Sequence, residues 1–164
     1  MDFISIIMGS KSDYAIMKTA SETLDKFNVK YELIISSAHR SPDRTKHYIK
    51  EAESKGAKVF IAAAGMAAHL AGAVASITTK PVIGVPMDAS SLQGNDALLS
   101  TVQMPGGMPV ATVAIGKAGA KNSAYLAMQI LSISDKELAE RLKEDRVLQG
   151  KQVESDSKEI EVLL

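Results

Sequence analysis

The chain has 164 residues, enough for one domain with a full core. Its 19 basic residues balance 19 acidic ones, so no basic surplus marks a nucleic-acid footprint. Cysteine is absent, which excludes disulfides, thiolate metal sites and cysteine nucleophiles, and the three histidines lack the spacing of a zinc site.

The chain opens on a strand pattern. Residues 3–8 form an apolar run that ends at Gly9, and the preceding Asp2 does not read as part of a signal peptide, so a cytoplasmic location is expected. Residues 13–27 place Ile16, Ala20, Leu24 and Phe27 on one helical stripe. Residues 29–36, rich in branched and aromatic side chains, read as a buried second strand. Pro42 opens a helix over 42–55, with Tyr48, Ile49 and Ala52 facing in. Residues 58–64 are a third strand ended by Gly65, and 67–78 a small-residue helix. A fourth strand follows at 81–86, a helix at 94–103, a loop at 104–107 and a fifth strand at 110–114. An apolar helix over 118–133 and a charged one over 135–148 complete the chain, with 149–164 as a loosely held tail. No apolar stretch is long and helix-forming enough to span a bilayer.

Repeated strand–helix units predict an α/β fold: one flavodoxin-like, three-layer, doubly wound parallel sheet of about five strands with a C-terminal helix. The whole chain is expected to be one domain.

In such sheets ligands bind beyond the C-terminal strand ends. Ser37-Ala38-His39-Arg40 holds that position after the second strand. Histidine exchanges a proton near neutral pH, and arginine forks onto phosphate or carboxylate. As a plain loop pair, His39 and Arg40 would only hydrogen-bond nearby backbone. Gly9-Ser10-Lys11-Ser12-Asp13 feeds a helix N-terminus and offers N–H and hydroxyl donors to an anion; equally, Ser12 or Asp13 caps that helix. Gly65-Met66-Ala67-Ala68-His69-Leu70 lets a ligand approach the backbone, or packs a tight helix start around a core histidine. His47, within a helix, is given no role. Ser10, His39, Arg40 and His69 follow successive strands and converge on one sheet edge. That grouping suits a small phosphorylated substrate, and nothing in it requires a metal or redox cofactor.

Five motifs carry a resemblance: Met8-Gly9-Ser10-Lys11-Ser12-Asp13, Ser36-Ser37-Ala38-His39-Arg40-Ser41-Pro42-Asp43, Ala64-Gly65-Met66-Ala67-Ala68-His69-Leu70, Val102-Gln103-Met104-Pro105-Gly106-Gly107 and Ala114-Ile115-Gly116-Lys117-Ala118-Gly119-Ala120-Lys121-Asn122. In this order they resemble the N5-carboxyaminoimidazole ribonucleotide mutase family of bacterial purine synthesis, over residues 4 to about 148. A related class carboxylates aminoimidazole ribonucleotide directly with carbon dioxide. Ala67-Ala68-His69-Leu70 and Gly84-Val85-Pro86 look like the mutase class instead.

The resemblance implies transfer of a carboxylate from N5 to ring carbon C4 of an aminoimidazole ribonucleotide, without ATP, metal or cofactor. It assigns His39 as the acid/base. Ser10 and Arg40 would bind the phosphate end and Asp13 the ribose or phosphate region, with individual oxygens unassigned. Ser37, Gly65, Ala68, His69 and Leu70 would line the imidazole and carbon dioxide pocket, and the turn at 104–107 is a candidate wall. It also implies a homo-octamer with C-terminal segments packed on neighbours; helices rich in Ala and Met agree with self-association. Two positions depart from the mutase pattern: Met66 stands where glycine is usual, and Ala71 where proline is. Two other readings are the direct carboxylase and a non-catalytic nucleotide-binding module on the same fold.

Overall fold

The structure, a computed structural model, describes residues 2–163. The chain divides into one compact unit that ends at Met128 and a second that begins at Gln129. In the first unit, strands β1 (Phe3–Met8), β2 (Tyr31–Ile35), β3 (Ala57–Gly65), β4 (Val82–Met87) and β5 (Ala111–Thr112) form one sheet in the order β2-β1-β3-β4-β5. Every pairing is parallel. This is the flavodoxin-type winding expected from the alternating pattern.

Helices cover both faces because the central strands are apolar on both. Phe3, Ile7, Phe60, Ala62 and Val82 turn one way, onto Ile49 and Ala52 of α2 (Pro42–Lys55) and Leu70 and Val74 of α3 (Leu70–Ala75). The opposite side chains Ile4, Ile6, Met8, Val59 and Ile61 are equally buried. On the remaining side, α1 (Tyr14–Lys26) buries Met17, Ala20 and Leu24, and the Phe27 ring after it meets Tyr125 of α5 (Lys117–Ser132) edge-on at 5.7 Å. Gly84 in β4 faces α4 (Asn95–Val102): a β-carbon there would strike Thr101, so glycine is what lets strand and helix approach.

Three elements differ from the sequence reading. β2 is a half-buried edge strand, not a buried one: its outer side is open, and Glu32 accepts a hydrogen bond from the Tyr48 hydroxyl at 3.1 Å. The helix expected from residue 67 starts only at Leu70, because Met66 takes a left-handed conformation (φ 56°) and His69 N–H closes a turn on Ala67 C=O. The ladder of β5 is two residues long, shorter than the expected 110–114 run; Val113 N–H still donates to Gly84 C=O at 3.1 Å, and the chain bends at Ile115.

In the second unit, α6 (Lys136–Ile160) continues well past residue 148, where a tail was expected. Asp135 caps it by accepting from Leu138 N–H at 3.0 Å, and i,i+3 and i,i+4 pairs such as Lys143–Glu140 and Gln152–Asp156 line its exposed faces.

Candidate active site

β2 and β3 flank β1, so the loops beyond all three strands lean over one crevice at the point where the winding reverses. A cavity of about 560 Å³ opens there, bordered by residues from the ends of β1, β2, β3 and β4.

The loop after β1 does two jobs. Ser10 Oγ accepts from Ser12 N–H at 3.3 Å, and Asp13 accepts from Ser10 N–H at 3.1 Å, closing a capping box around a short 3-10 turn at Lys11–Asp13. The turn is capped, but by Ser10 and not by Ser12 or Asp13: Asp13 stands at the N-cap of α1 without a side-chain bond to that helix, and its carboxylate turns back to Ser10 instead. Ser10, Ser12 and Asp13 also face the cavity. Burial pushes the Asp13 carboxyl up from its ordinary value; the Ser10 N–H, the Arg40 charge and the Ser12 hydroxyl oppose that rise.

The loop after β2 is a hydroxyl-built turn. Ser41 Oγ accepts from Ser37 N–H at 3.0 Å and donates to Ser37 C=O at 3.1 Å, while Ser37 Oγ accepts from Arg40 N–H at 3.1 Å. Beneath it, the Ser36 and Thr45 hydroxyls meet at 2.8 Å in the interior. Arg40 reaches across to donate to Gly9 C=O at 3.0 Å, joining this loop to the one after β1.

His39 Nε2 lies 2.8 Å from His69 Nδ1, and the two rings cross at 81° with centroids 4.9 Å apart. His69 thus lies at the cavity and not in the core, and spacing along the chain did not reveal that the two imidazoles touch.

The loop after β3 brings Gly65, His69 and Leu70 to the cavity, with Met66 and Ala67 exposed beside them. A β-carbon on Gly65 would come within 2.7 Å of Ala89 Cβ, so this backbone and the loop after β4 are packed tightly together. Of the residues singled out from sequence, Ser10, Asp13, Ser37, His39, Arg40, Gly65, His69 and Leu70 all border the cavity. Ala68 does not: it is buried beneath the loop. The turn at 104–107 does not border it either. Met104 packs against α3 near Gly72, and nothing lies within 4 Å of a β-carbon built on Gly106 or Gly107. Ala38, Ala67 and Ala89 were not singled out as site residues. The signal for Ala89 was the end of β4, which points to the same sheet edge. His47 pairs with Glu51 at 3.8 Å on the exposed side of α2. Among the described residues, no group of His, Asp and Glu is arranged to hold a metal ion.

A flavodoxin-like sheet with serines, an arginine and a histidine pair at its winding reversal defines a pocket for a small anionic ligand with proton-transfer groups in reach. The chain belongs to the AIR carboxylase family, whose pattern it matches over residues 3–152. It is 56% identical over 143 residues to a Bacillus subtilis protein named N5-carboxyaminoimidazole ribonucleotide mutase, covering 87% of this chain and 88% of that one. To the Escherichia coli K12 protein of the same name it is 50% identical over 150 residues, covering 92% and 89%. The crystal structure of Treponema denticola PurE superposes with a TM-score of 0.89 at 28% identity, covering 99% of this chain and all of that one.

Proposed function

We propose that this protein converts N5-carboxyaminoimidazole ribonucleotide to 4-carboxy-5-aminoimidazole ribonucleotide in purine (IMP) biosynthesis, acting as a single mutase domain. One observation carries the reading: His39 and Arg40 share a cavity with the Ser10 cradle in a chain at least half identical to proteins named for that reaction.

In this mechanism Ser10 and Arg40 hold the phosphate end and Asp13 the ribose or phosphate region. Ser37, Gly65, His69 and Leu70 surround the imidazole and the carbon dioxide. N5 carries the carboxylate as a carbamate. Proton transfer from His39 to N5 breaks the N5–carboxyl bond and frees carbon dioxide. The remaining aminoimidazole is an enamine, nucleophilic at C4, and a C4–carboxyl bond forms as carbon dioxide is captured. His39, now neutral, removes the C4 proton and the ring regains its aromaticity. The proton given in the first step is recovered in the last, so one histidine serves as acid and then base. The reaction is an isomerisation; atoms and electrons balance without an oxidant, reductant or ATP. Confinement and positioning supply much of the rate.

The test is an ultraviolet assay with N5-carboxyaminoimidazole ribonucleotide, without ATP or added metal, run beside aminoimidazole ribonucleotide with bicarbonate. Conversion of the N5-carboxylated compound to the C4-carboxylated product is expected. Conversion only of aminoimidazole ribonucleotide would make the protein a direct carboxylase. Binding without turnover of either would make it a nucleotide-binding module.

The proposal extends to a cytoplasmic homo-octamer. What supports it is the family resemblance together with exposed Leu92, Leu99 and Val102 around α4, and exposed Val147, Leu148, Val153 and Ile160 on α6. Among the described residues no helix is long and apolar enough to cross a membrane. Light scattering on the purified protein reads the assembly directly; a monomer at micromolar concentration would overturn it.

A further inference from the structure

Among the described residues, the backbone is left-handed at three positions that are not glycine: Asn28 (φ 53°), Met66 (φ 56°) and Gln93 (φ 54°). Asn28 follows the end of α1, where a short amide side chain tolerates the conformation. Gln93 sits in an exposed loop before α4. Met66 is also exposed, in the loop before α3, but it has no amide and, unlike the other two, borders the cavity. A long unbranched side chain there suffers the β-carbon clash that glycine avoids, and strained residues of this kind cluster where function holds them.

Its surroundings say what the strain achieves. Met66 borders the same cavity as His39 and His69, and its side chain is 59% exposed. Gly65 before it has no room for a β-carbon against Ala89, so the chain is pinned there and turns at Met66. An apolar thioether chain is thereby kept at the edge of a cavity where His39, Arg40 and His69 stand beside small apolar groups such as Ala38 and Ala89, and Met66 is the longest apolar side chain among them.

We propose that Met66 is a confining wall of this site, a residue that decides how often carbon dioxide is recaptured and how often it escapes. The inference rests on the mutase reading. Carbon dioxide is small, neutral and weakly hydrogen-bonding, so no charge in the cavity can hold it; only walls and the exclusion of water can. Where the usual mutase pattern has glycine, this chain has added such a wall.

The experiment follows the carboxyl carbon. Substrate labelled with ¹³C at the N5-carboxylate is converted in excess unlabelled bicarbonate, and label retained in the C4-carboxylated product is read by mass spectrometry. Wild type and Met66→Leu, which keep a long apolar side chain, are expected to retain the label. Met66→Ala and Met66→Gly open the wall, and unlabelled product should rise about threefold or more. Melting temperature separates side chain from backbone. Met66→Gly should melt roughly 2–4 °C above Met66→Ala, because only glycine relieves the left-handed strain. Equal retention in all four proteins overturns the inference and leaves the mutase reading intact, as does label loss in Met66→Leu. Equal melting of the Gly and Ala variants overturns the strain argument on which it stands. A wild type that does not convert the substrate overturns the mutase reading and this inference with it.

Discussion

Two loops deliver histidines to one cavity, and different physics holds each. The loop after β2 that carries His39 is tied by side-chain hydroxyls: Ser41 braces both backbone groups of Ser37, and Ser37 braces Arg40. The loop after β3 that carries His69 has mostly apolar side chains and is held by packing, with Gly65 against Ala89 and with Ala68 and Leu70 buried. A hydrogen-bonded loop gives way gradually, because each bond contributes about 1 kcal/mol and water replaces part of it. A close-packed loop gives way abruptly, because a single added carbon has nowhere to go. The site thus couples a tunable wall, bearing the proposed acid/base, to a rigid one.

The contrast breaks first at His39. His39→Asn leaves the hydroxyl scaffold in place and removes proton transfer, so turnover should fall about 10²- to 10⁴-fold while ligand binding persists. Isothermal titration beside the ultraviolet assay separates the two quantities, and activity within about tenfold of wild type would sink the acid/base role. Arg40→Ala comes next. It deletes a guanidinium at the cavity and its link to Gly9 C=O, so affinity for a phosphorylated ligand should weaken about 10- to 100-fold. Turnover at saturation should change far less; unchanged affinity would remove Arg40 from the phosphate end.

A matched pair then compares the loops themselves. Gly65→Ala drives a β-carbon to 2.7 Å from Ala89 Cβ and 3.4 Å from Met87 Cβ. It should destabilise by about 1–3 kcal/mol and distort the floor beside His69. Ser41→Ala removes two hydrogen bonds from a half-buried turn and should destabilise by about 1 kcal/mol, with KM moving more than stability. Urea denaturation measures both. If Ser41→Ala proves the more damaging, the division between a packed loop and a hydrogen-bonded one is wrong.

How much of this was legible from sequence depends on the kind of information each feature needs. β1, β3 and β4 are apolar runs ended by glycine or a polar turn, and such runs identify themselves. The run in β2 does not say whether a strand is central or at an edge; Leu33-Ile34-Ile35 reads the same in either place, and only the sheet order leaves it half-buried. Small residues from Ala67 onward look helical, but Met66 commits the backbone to a left-handed turn first, so α3 starts at Leu70. The sequence reading ends the charged helix at 148, two residues before Gly150, yet α6 runs on. An interior glycine costs a helix only about 1 kcal/mol, and side-chain pairs such as Gln152 with Asp156 carry α6 on to Ile160. Convergence on the sheet edge was readable because strand ends must meet there. The imidazole pair was not: His39 and His69 are 30 residues apart, and only β1 lying between β2 and β3 brings their loops together.

The smallest effect lies in the loop after β1, at Asp13, which feels the Arg40 charge of the tunable loop. Burial raises its carboxyl above the ordinary value of 3.8, against the Ser10 N–H and the Arg40 charge. Between 3.8 and that raised value the folded chain binds more of the proton than the unfolded chain does. This residue's contribution to stability therefore falls as pH rises through the window and is level above it. Asp13→Asn keeps an oxygen to accept from Ser10 N–H but cannot titrate. Measured by urea denaturation, wild-type stability relative to Asp13→Asn should decline as pH climbs from 3.8 through the window and then hold steady. A flat difference would mean that the opposing partners cancel the burial, and a rising one that they outweigh it. Arg40→Ala sharpens the point: without the guanidinium the carboxyl should rise further and the window extend upward, so that the pH profile reports on the coupling between the loops after β1 and β2 through the charge that joins them.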